Sequence, residues 1–162
     1  MSASINRQVQ EALRNTLKAK LPDKVAAAKR GVTYGFQPED FSAVKCPAIF
    51  IYEGDWTKEF ESIRGVTAGV ADAGIAQRRY QFDVDVYLRG RKADELREEL
   101  QQWADGIVAV VEDWWALGTT AIDAEAKAGQ PTVPLESGSS VLMATRVQVV
   151  ADVYVFQGST TL

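Results

Sequence analysis

Residues 80–88 alternate apolar and polar without a break: Tyr80, Phe82, Val84, Val86 and Leu88 are interleaved with Gln81, Asp83, Asp85 and Tyr87, and Arg89 follows. Strand side chains point to opposite faces in turn, so this period of two commits the segment to a β-strand with one face buried and one wet. Beyond Gly90 the period changes. From Asp94 on, Leu96, Leu100, Trp103, Ile107, Val110, Trp114 and Leu117 recur every three or four residues, the stripe of an amphipathic helix. A one-sided strand followed by a one-sided helix calls for helix packed on sheet.

The rest of the chain extends that layer. Ser4 is placed to cap a helix whose apolar positions are Ile5, Val9, Leu13, Leu17 and Leu21, and Pro22 is expected to end it. Residues 22–47 hold Pro22, Gly31, Gly35, Pro38 and Pro47 and no sustained period, which predicts an irregular connection with a short strand at 32–36. Ala48-Ile49-Phe50-Ile51-Tyr52 predicts a short central strand. Residues 55–77, with Gly65, Gly69 and Gly74, read as a long loop and a candidate interaction site. After Gly118, a short strand is expected at 119–125 and a loop through Ser137-Gly138-Ser139-Ser140. The last element, 141–156, puts Val141, Met143, Val147, Val149, Val153 and Val155 on one face and Arg146, Gln148 and Asp152 on the other, with a bend expected near Val150-Ala151. The expected fold is α+β: a mixed, mainly antiparallel sheet with an N-terminal helix and one long amphipathic helix packed on one face, all in a single domain over residues 1–162.

Composition narrows the chemistry. With 162 residues, 46% of them hydrophobic, the chain is long enough for an ordinary core. The single cysteine, Cys46, permits no intrachain disulfide, in keeping with a reducing compartment. The first residues lack the pattern of a signal peptide and no apolar run is long enough to span a bilayer, so the expectation is a soluble protein with no membrane partner. A net charge of −4 argues against a broad basic nucleic-acid surface. There is no histidine, which removes the usual near-neutral base, the Ser/His and Cys/His nucleophile pairs and histidine metal sites.

The remaining candidates are weak as catalytic groups. Asp83 and Asp85 share a strand face and could hold a hard cation, but their plainer reading is a solvated outer face. Glu53 and Asp55 flank Gly54 after a strand, a setting that suits a turn. The glycines at 65, 69 and 74 fit no phosphate-binding spacing. Arg78 and Arg79 precede the alternating strand and Arg91 and Lys92 follow it, with solvation or pairing to nearby acids as the default and contact with passing nucleic-acid phosphate as the sharper view. Trp103 and Trp114 fall on the helical stripe and are expected in the core, whereas Trp56 and Trp115 lie off it and are candidates for an interface together with Phe60 and Arg64. No catalytic residue, cofactor site or metal site is expected, and the chain is not expected to be an enzyme.

The run Pro47-Ala48-Ile49-Phe50-Ile51 with Gly54, the long loop, the strand Arg78-Arg79-Tyr80-Gln81-Phe82-Asp83-Val84-Asp85-Val86-Tyr87-Leu88-Arg89-Gly90 and the helix opening Ala93-Asp94-Glu95-Leu96 resemble the tail terminator (tail completion, or neck) proteins of tailed bacteriophages. The resemblance covers about residues 45–122 and continues loosely through 147–156. It rests on residue types rather than an invariant motif. It implies a homo-oligomer, a hexameric ring at the head-proximal end of a tail tube, that stops tube growth and joins the tail to the head connector. The implied partners are the tail tube protein and the connector or adaptor protein. Genomic DNA would pass through the lumen near Arg78, Arg79, Arg91 and Lys92, and the implied location is the virion tail or neck, assembled in host cytoplasm. The alternatives are another neck, baseplate or tube-end protein, and a small enzyme or ligand-binding domain using a divalent cation at Glu53, Asp55, Asp83 and Asp85.

Overall fold

The computed structural model describes residues 4–36, 44–61, 75–121, 123–132 and 134–156. Helix α1 spans Ile5–Lys24, and the Ser4 hydroxyl accepts from the Arg7 amide at 3.2 Å, so the capping residue read from the sequence starts the helix. Pro22 does not stop it. An interior proline costs a helix ~3 kcal/mol or more, but Leu21 and Val25, on either side of it, are both buried. Burying one such side chain contributes ~1.5–3 kcal/mol. The Val25 amide donates to the Leu21 carbonyl, and Lys24 pairs with Asp113, so the last turn is held by packing and charge together.

Past a 3-10 turn at Ala26–Arg30 come β1 (Thr33–Gly35), β2 (Ala48–Glu61) and β3 (Ile75–Gly90), then α2 (Ala93–Asp113), β4 (Asp123–Ala128), β5 (Leu135–Ser137) and β6 (Ser140–Phe156). Among the described residues the strands form one mixed sheet in the order β1-β2-β3-β6-β4, with β5 also beside β6. β1 runs parallel to β2 and the other pairings are antiparallel. With both helices present, the expected α+β fold is the observed one.

Register decides which side chains meet. β3 and β6 pair without interruption from Ile75↔Phe156 to Gly90↔Val141, so the expected bend at 150–151 causes no register break. Tyr80, Phe82, Val84, Val86 and Leu88 therefore share a face with Val141, Met143, Val147, Val149, Ala151, Val153 and Val155, joined by Ile49 and Ile51 of β2. The apolar stripes of α1 and α2 cover this face, and the core so formed runs from Ile5 to Val155.

The helices touch closely at Gly106, where a Cβ would collide with the buried Val25 side chain. In α2 the predicted stripe holds from Leu96 to Val110, but the helix ends at Asp113. Trp114 is consequently only half-buried rather than core, while Leu117, beyond the helix end, remains buried. Gly118 follows with φ 71°, the left-handed conformation glycine tolerates.

Two expected loops contain strands. β2 and β3 reach into the 55–77 segment from both sides, leaving 62–74 outside the described residues. The strand expected at 119–125 is β4 at Asp123–Ala128, the loop expected after it holds β5, and Ser137↔Ser140 closes a two-residue hairpin turn at Gly138 (φ 62°) and Ser139.

Candidate functional site

Three regions gather the sequence-predicted residues or expose unpaired backbone: the edge of β2, the outer face of the sheet, and the end of β3 next to α2.

The β2 edge is covered only in part. β1 pairs with Ala48–Phe50, the Gln10 side-chain amide donates to the Ile51 carbonyl at 2.6 Å, and Asn6 donates to Glu53 at 3.4 Å. From Gly54 to Glu61, β2 pairs with β3 alone, with no strand on its other side among the described residues. The pairing shifts twice, between Glu53 and Trp56 and between Lys58 and Phe60, so β2 carries extra residues opposite β3. Such bulges bend and twist an edge. Gly54 lies at the first shift, where a Cβ would stand 2.7 Å from the Gln81 carbonyl oxygen. The turn expected at Glu53–Asp55 is thus a bulge within a continuing strand.

Trp56 and Phe60 belong to this stretch, with Trp56 in register with Tyr80 and Phe60 with Gln77; their side chains, and Arg64 as a whole, lie outside the described residues. Trp115, the remaining interface candidate, is 48% exposed just past α2. Its neighbour Trp114 takes the Lys20 ammonium over its ring at 4.8 Å.

On the outer face the structure corrects the reading of Asp85 as a solvated residue: it is only 6% exposed. Arg146, directly across the strand pair, donates from Nε and Nη2 to its two carboxylate oxygens at 2.8 and 3.0 Å, and approaches Asp83 at 3.5 Å. The Asp85 bond holds the Arg146 guanidinium above its already high pKa, against the opposing effect of burial. Tyr87, beside this cluster, is pushed up by burial, by its hydrogen bond with Tyr52 and by the Asp85 charge. With Arg146 filling the space between the two carboxylates, the cation site considered for Asp83 and Asp85 is occupied by a protein cation. A groove of about 490 Å³ adjoins it, with Leu135 on its wall exposed at 66%.

Register also places the basic residues. Arg79 lies opposite Asp152 and donates to it at 3.0 and 3.4 Å, and Arg78 donates to the Tyr80 hydroxyl at 3.4 Å. Arg91 and Lys92 lie past the other end of β3, with Lys92 near Glu95 at 3.7 Å and both largely exposed. At ~3.3 Å rise per residue the two pairs stand roughly 40 Å apart, so they form two separate features and not one basic patch. Arg79, whose default reading includes pairing to a nearby acid, is committed to a cross-strand ion pair.

Sequence reasoning named Arg146 and Asp152 only as members of a polar face and missed their partners, which depend on register. It also missed Arg30 and Lys45, which meet Arg89 and Arg91 around one pocket. No protein-family model matches the sequence, and no curated protein is significantly similar to it. Among the described residues, no helix is long and apolar enough to cross a membrane.

Proposed function

We propose that the chain is a structural subunit that assembles into a ring at the head-proximal end of a phage tail tube, ends tube growth and joins the tail to the head connector. The observation that carries this reading is the pair of unlike sheet edges. β2 from Gly54 to Glu61 lies at one side of the sheet and β4 at the other, each lacking a further strand among the described residues. A ring is built from head-to-tail contacts in which two different surfaces of each copy meet. Two open edges on opposite sides of one sheet supply such surfaces, since an unpaired edge offers a row of backbone donors and acceptors. The strand and helix residues that resemble tail terminators, 47–54 and 78–96, include the beginning of this β2 edge.

Such a role requires no covalent step: it asks for a rigid core, complementary edges and a face for the next component. Of the four basic residues associated above with the lumen, Arg79 is paired within the sheet, and Arg91 and Lys92 lie past the other end of β3.

The test is assembly with a tail tube. Native mass spectrometry of the purified chain should reveal a hexamer, alone or once tube protein is added. In electron micrographs, tubes grown in its presence should stop short with a sixfold cap at one end. A chain that stays monomeric at high concentration with and without tube, while tubes keep growing, refutes the reading.

A further inference from the structure

At the end of β3 a pocket of about 610 Å³ opens between the 3-10 turn after α1, the segment leading into β2, and α2. Its size lies within the ~300–1,000 Å³ typical of ligand sites. Arg30, Lys45, Arg89 and Arg91 line it, against a single carboxylate, Glu99, among the described residues. In a chain of net charge −4, four cations drawn from three segments to one mouth are a local reversal of sign. Arg89 is held in place by its bond to the Cys46 thiol, whose pKa is nonetheless raised by burial.

Trp103 forms part of the wall and is fully buried.

We infer that this pocket binds a carboxylate side chain presented by an acidic peptide segment of a partner protein, with the arginines and Lys45 as donors. A carboxylate accepts several such bonds at once, and arginine grips it through two. A nucleic-acid backbone fits less well. Its phosphates call for cations spread along an open track, whereas here they ring a concavity, and Glu99 at the rim penalises a ligand of unbroken negative charge. A peptide whose acids alternate with neutral residues avoids that penalty. The inference does not rest on the tail-end reading: the ring could fail its test and the pocket would still bind.

The experiment is fluorescence anisotropy with a labelled peptide of alternating glutamate and glycine, run beside an oligothymidylate of equal length. The peptide should bind, and binding should weaken with added salt. Arg30→Glu with Arg91→Glu, both exposed and replaceable without disturbing the core, should weaken it at least tenfold. Peptide binding that is absent, or unchanged in the double variant, overturns the inference. An oligonucleotide that binds more tightly than the peptide and is lost in the same variant overturns it in favour of a phosphate groove.

Discussion

Replacing Arg146 with alanine tests the outer face most directly. The substitution leaves Asp85 with 9% of its side chain exposed and neither of its two guanidinium bonds, at 2.8 and 3.0 Å. Removing one partner of a fully buried pair costs about 3–5 kcal/mol, and an exposed pair contributes ~0–1. This pair is intermediate, because the Arg146 side chain is 56% exposed and water will reach part of the carboxylate once it is gone. The expected loss is therefore about 2 kcal/mol, which for a chain of this size lowers Tm by roughly 4–8 °C. Urea unfolding at neutral pH measures it, and a double-mutant cycle assigns it. In an Asp85→Asn background no buried charge is stranded, so Arg146→Ala should cost less by about 1 kcal/mol or more. High salt should leave most of that coupling intact, as burial limits screening. If Arg146→Ala lies within ~0.5 kcal/mol of the parent, or costs the same in both backgrounds, the pair does not stabilise the sheet as argued.

Two further outcomes follow from the packing and the phenols. Gly106→Ala should lose up to about 2 kcal/mol, since overpacking against Val25 costs ~1–3 and alanine returns ~1 in helix propensity; Val25→Ala should relieve it, so additive costs in a denaturation cycle would refute the close contact. Burial raises Tyr34 from 10.0 to about 12, so its contribution to stability is complete below pH 10 and disappears as pH rises towards 12; urea midpoints should fall over that range, and an equal fall in Tyr34→Phe would refute the assignment.

How much of this was legible in the sequence follows from what each feature depends on. β3, α1 and most of α2 depend on local period, and their residues announced it. β2 beyond Gly54 did not read as a strand because two register shifts break the alternation that marks one. Gly54 was visible as a breaker, but its cause, the Gln81 carbonyl, lies on the neighbouring strand. Pro22 was read by its local rule, and burial of the residues around it overrode that rule.

The charges show a deeper limit. Asp85 and Arg79 occupy alternating positions that look solvated, and only the register of β3 on β6 sets an arginine opposite one and an aspartate opposite the other. The two pairs are of opposite sense, arginine on β3 in one and on β6 in the other. A slip by one residue would turn the apolar face of a strand outward, and a slip by two would set Asp85 against Ala144 or Gln148 and Arg79 against Val150 or Tyr154. The polar face therefore reinforces the alignment that the apolar face selects. That alignment carries Arg89 and Arg91 to the same end of the molecule as Arg30 and Lys45, where their charges meet around one pocket.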